Sequence, residues 1–278
     1  MKLQTVAELI QHSLIDGKIS EKIVGDLLKI SPTELYLKKI SLTLPPAVIK
    51  NYKKIEKLIR DGVPLQYALG EADFYGLKFR VNKNVLIPRP ETEIMLERAI
   101  KFAKGRKHLT AIDVGCGSGC IIISFAKNTK PSGYKLFGVD ISCNALKIAK
   151  LNSKNNKTKI KFIESNLLEN PKLPQKFDLI LANLPYLPNN YLKIYPKKLS
   201  AQLKHEPDLA LNGGSQGLEL IKKLINILPQ RLDENGLAIL EIDPSQKPSI
   251  TNITKKIGLK AEFMKDLNCR TRFALIEK

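Results

Sequence analysis

Residues 111–123 read Ala-Ile-Asp-Val-Gly-Cys-Gly-Ser-Gly-Cys-Ile-Ile-Ile, so that three closely spaced glycines separate two apolar runs. The first run is typical of a short buried strand, and the second is typical of a helix packed on a sheet. Glycine permits positive φ angles and close approach of a ligand, while the first turn of a helix presents unpaired N–H groups. The stretch therefore predicts a strand, a ligand-binding loop and a helix. The candidate cofactor-binding residues of this loop are Gly115, Cys116, Gly117, Ser118 and Gly119.

After Pro90, strand-like and helix-like segments alternate to the end of the chain. Strands are expected near residues 109–114, 135–140, 160–164, 177–182 and 236–242, and helices are expected to begin near residues 119, 142 and 217. Two more segments, near 260–264 and 270–276, are expected to be antiparallel strands. This alternation predicts an α/β fold with a Rossmann-like, mostly parallel sheet and helices on both faces.

The first 70 residues have a different pattern, with apolar positions at helical spacing from Leu3 to Leu14 and again near residues 23–28. Ser31-Pro32-Thr33-Glu34 is typical of a capped helix start, and Pro45-Pro46 is expected to open a fourth helix. Residues 1–70 are therefore predicted to form a helical bundle domain used for docking. Residues 71–87 are expected to be a hairpin linker, and residues 88–278 are expected to be the domain that binds the cofactor.

The glycine pattern alone is compatible with a dinucleotide or with a nucleoside-type cofactor. Three details favour S-adenosylmethionine over NAD: the spacing G-x-G-x-G, the acid Asp113 before the loop and the acid Asp140 after the second strand. A carboxylate at Asp113 could pair with the amino group of a methionine moiety, a cation that NAD lacks. A carboxylate at Asp140 could accept both hydroxyls of a ribose. We therefore expect an S-adenosylmethionine site, with an NAD-dependent oxidoreductase as an alternative.

Polar residues follow the next two strands as well. Asn166 and Leu167 come after the third strand, where by order they would face an adenine; Asn166 could bond to its amino group and Leu167 could cover a ring face. The fourth strand runs into Asn183-Leu184-Pro185-Tyr186. Because the carboxyl ends of parallel strands share one edge of the sheet, we expect this tetrapeptide to lie beside the methyl donor.

The residue types of this tetrapeptide suit the methylation of a planar amide nitrogen. Such a nitrogen is a poor nucleophile, so that its positioning must supply much of the catalysis. The side-chain oxygen of Asn183 and a backbone carbonyl at Leu184 or Pro185 could accept the two N–H bonds, and these bonds would strengthen as positive charge develops on nitrogen. Tyr186 could stack on the amide plane. We therefore expect Asn183, Pro185 and Tyr186 to be catalytic, and Asn183 to bind the cofactor as well.

The chain resembles the release-factor glutamine methyltransferase family of class I methyltransferases over essentially its whole length. The resemblance lies in Val-Pro-Leu-Gln-Tyr at 63–67, Phe-Tyr-Gly at 74–76, residues 85–93 with their Pro-Arg-Pro-Glu-Thr-Glu, and residues 205–214, followed by Gly217. A tetrapeptide like that at 183–186 is shared with enzymes that methylate adenine or guanine amino groups. The alternative function is therefore N-methylation of an exocyclic amino group of a DNA or RNA base.

The resemblance implies methyl transfer from S-adenosylmethionine to N5 of the glutamine in the Gly-Gly-Gln loop of peptide chain release factors, with S-adenosylhomocysteine as product. It implies that residues 183–186 bind the glutamine, that residues 115–119 and Asp140 bind the cofactor, and that the helical domain helps to hold the partner. Leu184 stands where the family usually has proline, and Asn166 stands where aspartate is common. We expect weaker preorganisation from these departures, with activity retained.

Composition bounds the remaining functional classes. The formal net charge is +19, which favours acidic or ribosome-associated partners and leaves RNA contact possible, although lysines are spread along the chain. The four cysteines form no C-x-x-C pair and the three histidines are scattered, so no metal site is expected. Without an apolar run of roughly 18 residues or a signal-peptide pattern, no membrane association is expected and the protein is predicted to be cytoplasmic. A non-catalytic binding protein is a further alternative.

Overall fold

The computed structural model describes residues 5–129 and 132–278. The chain divides into two compact units, Met1–Gly70 and Glu71–Lys278. The hairpin expected at the junction belongs to the second unit. In the described ranges, none of the helices combines the length and the apolar character that crossing a membrane requires.

The smaller unit is a bundle of helices. They are α1 (Val6–Gln11), α2 (Gly17–Leu28), α3 (Pro32–Lys38), α4 (Pro46–Arg60) and α5 (Leu65–Leu69). Apolar faces of these helices meet in a core that includes Val6, Ile23 and Leu44, each with no exposed surface. The hydroxyl of Tyr52 from α4 bonds within this core to Ser13 and Ser20, at 2.7 and 2.8 Å.

Two details of this unit differ from the sequence prediction. The first helix ends at Gln11, and Leu14, which was expected to continue its apolar face, is 65% exposed; Leu3 lies outside the described residues. Ser31 caps α3 as predicted, because its hydroxyl accepts a bond from the backbone N–H of Glu34. The Glu34 carboxylate was expected to reach back to this cap, but it pairs with Lys38 one turn further along, at 2.8 Å.

The larger unit begins with an antiparallel hairpin of β1 (Glu71–Phe74) and β2 (Leu77–Arg80), followed by α6 (Thr92–Ala103). The elements that build the central sheet follow. They are β3 (Leu109–Val114), α7 (Cys120–Thr129), β4 (Tyr134–Asp140), α8 (Cys143–Asn155), β5 (Lys161–Glu164), β6 (Phe177–Ala182), α9 (Tyr191–Ile194), α10 (Lys197–Leu203), α11 (Glu219–Arg231), β7 (Leu232–Glu241), α12 (Lys247–Lys256), β8 (Lys260–Lys265) and β9 (Thr271–Glu277).

The strands of the central sheet lie in the order β5-β4-β3-β6-β7-β9-β8. Strands β5 to β7 are parallel, while β9 is antiparallel to both β7 and β8. From β3 the chain adds β4 and β5 on one side of the sheet, and then β6 and β7 on the other side. Strands β3 and β6 are therefore neighbours at the point where the strand order reverses, and ligands of open α/β sheets bind at such a point. The register places Asp113 opposite Leu181, so that the ends of β3 and β6 lie side by side.

The sheet separates two apolar cores. Ile112 and Ile180 point into one core with α11 and α12, and Ala111 and Leu179 point into the other with α6 and α7. This is the period-two alternation of strands that are buried on both faces. The predicted α/β fold with a Rossmann-like sheet and an N-terminal helical bundle is confirmed.

Element boundaries differ where the sequence carries no clear signal. The strand predicted at 236–242 begins at Leu232, and the helix predicted from 217 begins at Glu219. Helices α9 and α10 were not predicted, because they are short and lie in a segment rich in proline and lysine that has weak periodicity.

Candidate active site

The loop of residues 115–119, here called the glycine loop, leaves β3 in a left-handed conformation. Gly115, Gly117 and Gly119 have φ angles of 70°, 53° and 78°. A Cβ atom on Gly119 would lie 3.0 Å from the Ile123 side chain and 3.3 Å from that of Ala149. Glycine at this position therefore allows both the turn and the close packing of α7 against α8.

Asp140 at the end of β4 holds the glycine loop. Its Oδ2 accepts a bond from the backbone N–H of Gly117 at 2.9 Å, and its Oδ1 accepts one from that of Ser142 at 2.9 Å. Burial raises the pKa of Asp140, and these N–H groups partly offset the effect. Each carboxylate oxygen keeps a lone pair for a further donor, as a pair of ribose hydroxyls would require.

Asp113, the acid before the loop, is fully buried. Neither of its carboxylate oxygens meets a hydrogen-bond partner among the residues that the structure describes. Burial raises the pKa of Asp113 to about 7. The nearby backbone N–H of Ile122, which lacks hydrogen-bond geometry, lowers it by less, and the charge of Asp140 raises it further. A buried carboxylate without a partner is costly, so Asp113 weakens the fold unless a proton or a nearby cation offsets its charge.

Asn166 and Leu167 follow β5. Leu167 has a positive φ of 49° and is 7% exposed, and the Asn166 side-chain amide donates to Glu169 at 3.0 Å. This bond uses one N–H of the Asn166 amide, which leaves the second N–H and the side-chain oxygen for a ligand.

Residues 183–186, here called the Asn-Leu-Pro-Tyr turn, follow β6 directly. Leu184 is 4% exposed, and its Cδ2 lies 3.0 Å from the position of a Cβ on Gly115. The glycine loop and this turn are therefore in direct contact. The sequence associated Leu184 with a looser turn, but its side chain is fixed in the apolar core.

Glycines of the 205–217 segment cover the other side of the turn. A Cβ on Gly213 would lie 2.4 Å from the carbonyl oxygen of Pro185, and one on Gly217 would lie 2.0 Å from that of Tyr186. The Gln246 side chain donates to the Tyr186 carbonyl at 3.3 Å and to the Gly217 carbonyl at 2.8 Å. The turn is therefore enclosed by backbone that only glycine allows so near.

Four side chains join the turn to α6 and β7, and we call them the Asn183 network. Asn183 Nδ2 donates to Thr92 Oγ1 at 3.2 Å, and Thr92 Oγ1 donates to Glu241 Oε2 at 2.6 Å. The Tyr186 hydroxyl donates to Glu241 Oε1 at 3.3 Å. Burial raises the pKa values of Glu241 and of Tyr186; the hydrogen bond from Thr92 and the charge of Arg272 partly offset the rise for Glu241.

An ion pair joins the two stretches that the sequence resemblance singled out. Arg89 Nη2 lies 2.5 Å from Glu206 Oε1, and the Glu206 side chain is 2% exposed. The other carboxylate oxygen of Glu206 accepts a bond from the Ile87 backbone N–H at 3.2 Å. The Arg89 side chain is 33% exposed, whereas removal of Arg89 would leave the buried Glu206 carboxylate without its charge partner, which is costly. The pair therefore helps to fix residues 87–89 relative to residue 206.

Two cavities meet at the Asn-Leu-Pro-Tyr turn. The first, the glycine-loop cavity, is lined by most of the predicted cofactor residues: Gly115, Cys116, Gly117, Ser118, Asp140, Asn166, Leu167 and Asn183. Asp113 and Gly119 do not line it. The second cavity is lined by Asn183, Leu184, Tyr186 and residues of the 195–211 and 243–272 segments. Asn183 and Leu184 line both cavities, together with Leu86, Arg89 and Ala210.

Several residues at this site carried no assigned role in the sequence analysis. They are Thr92, Arg89, Glu206, Glu241 and Gln246. The first three lie in the stretches that carry the family resemblance, which was the available signal. Nothing in the sequence around Glu241 or Gln246 marks them, because an acid at the end of a strand and a glutamine before a helix are common.

Comparison with known proteins places the chain among methyltransferases. A family model described as "Methyltransferase domain" matches residues 105–248. A "Release factor glutamine methyltransferase" from Flavobacterium psychrophilum is 35% identical over 239 residues, which cover 82% of this chain and 82% of that protein. One of the same name from Thermodesulfovibrio yellowstonii is 33% identical over 282 residues, with 99% and 98% covered.

Among solved structures, the chain is similar to the N-terminal domain of human METTL16 in complex with SAH. The TM-score is 0.51 and the identity is 16%, with 83% of this chain and 82% of that chain covered. At this level of identity the likeness concerns the fold.

Proposed function

The chain belongs to the release factor glutamine methyltransferase family, and from this premise we infer that it methylates the side-chain amide of a glutamine in a peptide chain release factor. The methyl donor is S-adenosylmethionine and the product is S-adenosylhomocysteine. The acceptor is N5 of the glutamine in the Gly-Gly-Gln loop of the factor. Its place in translation would make the protein cytoplasmic.

One observation carries the proposal, namely that Asn183 and Leu184 line both cavities, so that the two cavities adjoin at the start of the turn. The glycine-loop cavity has the groups that a nucleoside-type donor needs, and the second cavity gives a protein loop access to the opposite side of the turn. A methyl group transferred between two bound molecules must pass where the two sites adjoin.

The residues around the glycine-loop cavity fit S-adenosylmethionine. Asp140 has spare lone pairs for two ribose hydroxyls, and Gly117 has no heavy atom within 4 Å of its Cβ position, which leaves open space for a ligand. Asp113 does not line the cavity, so its charge would attract a cationic amino group through the loop and not by contact. Asn166 and Leu167 would hold the adenine. When bound, the donor supplies an electrophilic methyl group on a sulfonium.

The protein's own contribution to the reaction is to hold the amide. Asn183 Oδ1 forms no hydrogen bond within the described parts of the chain, so it is free to accept one N–H of the glutamine amide. The Pro185 carbonyl faces Gly213 closely, which favours the Leu184 carbonyl as the second acceptor. Both acceptors would bind the amide more strongly as nitrogen becomes positive, and this difference lowers the barrier.

Tyr186 and Pro185 would complete the substrate site. The Tyr186 hydroxyl is held by Glu241, so that its ring has a fixed position from which it could stack on the amide plane. Pro185 restricts the backbone of the turn. We also propose that residues 1–70 help to hold the release factor and that residues 71–87 connect them to the 88–278 domain. The net charge of +19 suits acidic or ribosome-associated partners.

The test is methyl transfer with labelled S-adenosylmethionine to three acceptors: a release factor, its variant with alanine at the loop glutamine, and total nucleic acid. We expect label in the first acceptor alone, and mass spectrometry should place one methyl group on the loop glutamine. Label in nucleic acid alone would overturn the proposal in favour of base N-methylation. Equal labelling of both factors would exclude that glutamine as the acceptor.

A further inference from the structure

The Asn183 network points to a role for two residues outside the Asn-Leu-Pro-Tyr turn. We propose that Thr92 and Glu241 are positioning residues, which fix the Asn183 carboxamide with its oxygen available to the substrate and at the same time hold the ring of Tyr186. The inference rests on the proposed function only in assigning the substrate as an amide. The hydrogen-bond arrangement itself is independent of the substrate.

The direction of the hydrogen bonds follows from counting protons. Thr92 Oγ1 has one proton, and at 2.6 Å from Glu241 Oε2 it is donated to a carboxylate, which cannot donate in return. Thr92 Oγ1 can then only accept from Asn183, so the group that faces it must be the side-chain NH₂. This conclusion holds without any choice between the oxygen and nitrogen of the Asn183 amide, which are nearly alike in shape.

Glu241 acts on two residues of the turn at once. Its side chain is buried, with the residue 2% exposed, and its two oxygens accept from Thr92 and from Tyr186. Arg272 attracts it, while Glu91 repels it. Burial raises the pKa of Glu241, while the hydrogen bonds from Thr92 and Tyr186 and the charge of Arg272 oppose that rise. The ionised form is the one in which both oxygens act as acceptors for the two hydroxyls.

The consequence for the substrate is directional. If the Asn183 carboxamide were flipped, its NH₂ group would face the NH₂ group of the substrate glutamine. Two donors cannot bond to each other, so the glutamine nitrogen would not be held for methyl transfer. Thr92 is 2% exposed and begins α6, a rigid element, which keeps its hydroxyl in place. The Thr of Pro-Arg-Pro-Glu-Thr-Glu therefore has a physical reason to lie in this stretch.

The test compares Thr92→Val with Thr92→Ser. Valine keeps the shape of threonine but has no hydroxyl, whereas serine keeps the hydroxyl and loses only a methyl group. We expect Thr92→Val to lower kcat about 10- to 100-fold, with the KM for release factor and the Kd for S-adenosylmethionine within about threefold of wild type. Thr92→Ser should restore kcat to within about threefold. Equal activity of the two variants would overturn the inference.

A second measurement reads the carboxamide itself without any substrate. With ¹⁵N introduced at asparagine, the side-chain NH₂ signals of Asn183, assigned by their loss in Asn183→Ala, should move in Thr92→Val and stay in place in Thr92→Ser. Glu241→Gln should move them as well, since its amide can turn either face to Thr92. If the Asn183 side-chain signals are the same in all of these proteins, Thr92 and Glu241 do not orient the Asn183 carboxamide, and the inference is wrong. If the signals respond but wild type does not methylate the factor, the proposed function fails and the positioning role stands.

Discussion

The two halves of the sheet edge hold their polar groups differently. At the ends of β3 and β4, the backbone N–H groups of Gly117 and Ser142 bond to Asp140, and Asp113 lacks a partner among the described residues. At the ends of β6 and β7, side chains bond to one another from Asn183 through to Tyr186. The first half, here called the cofactor half, is shaped by backbone conformation. The second half is shaped by contacts between side chains.

This difference suits the two ligands. A nucleoside cofactor is the same in every turnover, and a rigid backbone loop with fixed acids can bind it. A carboxamide must be told apart from other flat groups by the direction of its hydrogen bonds, and only oriented side chains can do that. We therefore expect substitutions in the second half to change turnover and substitutions in the first half to change cofactor affinity.

The largest effect should come from Asn183→Ala. It removes one acceptor of the reacting amide, so kcat should fall about 10²- to 10³-fold, a loss like that of one oxyanion-hole donor. Calorimetry should give a Kd for S-adenosylmethionine within about threefold of wild type. If the Kd rose by the same factor as kcat fell, Asn183 would act mainly in cofactor binding. The proposed division of roles between the two halves of the sheet edge would then be wrong.

Glycine substitutions give a matched pair across the two halves. Gly217→Ala forces a Cβ to within 2.0 Å of the Tyr186 carbonyl oxygen at a φ of 69°, so we expect a loss of about 3 kcal/mol in the free energy of unfolding and a lower turnover. Gly117→Ala has a φ of 53° but no neighbour within 4 Å, so the loss should be about 1 kcal/mol. Its main effect should be weaker cofactor binding. Denaturant titration measures the two losses of stability, and calorimetry measures cofactor affinity. A larger loss of stability in Gly117→Ala, or weaker cofactor binding in Gly217→Ala than in Gly117→Ala, would contradict this prediction.

Asp140→Ala tests the cofactor half directly. It removes the acceptor of the Gly117 and Ser142 N–H groups and the proposed acceptor of the ribose hydroxyls. The Kd for S-adenosylmethionine should rise about 30-fold, the effect of a lost charge-assisted hydrogen bond, while kcat at saturating cofactor should stay within about threefold. An unchanged Kd would contradict the ribose role of Asp140.

The last prediction concerns stability without any ligand, through Asp113 and pH. Its pKa of about 7 in the folded chain lies above its ordinary value of 3.8, so between pH 4 and pH 7 the folded state binds more protons than the unfolded state. Stability without ligand should therefore fall as pH rises through this window, by at most about 1.4 kcal/mol per pH unit. Asp113→Asn should lack this slope in thermal unfolding and become the more stable protein near neutral pH. Parallel pH curves for the two proteins would show that the carboxyl titrates normally.

Much of the cofactor half could be predicted from sequence. Glycine spacing, the positions of Asp113 and Asp140 at the ends of strands, and the alternation of strands and helices are local patterns. The family that the sequence resembled is confirmed by its relatives. The Asn183 network could not be predicted, because its bonds join residues 91 and 149 positions apart. Such contacts depend on how α6 and β7 pack against the sheet, which no local pattern specifies.

The contact between Leu184 and Gly115 has a consequence for how the family can vary. Because one side chain fills the space that the other residue leaves empty, the tolerance of either position depends on the occupant of its neighbour. Replacement of Leu184 by proline and of Gly115 by alanine should show non-additive energies when combined, since residues in contact do so. The two positions therefore vary together. The effect of a substitution in the glycine loop should depend on whether position 184 holds leucine or proline.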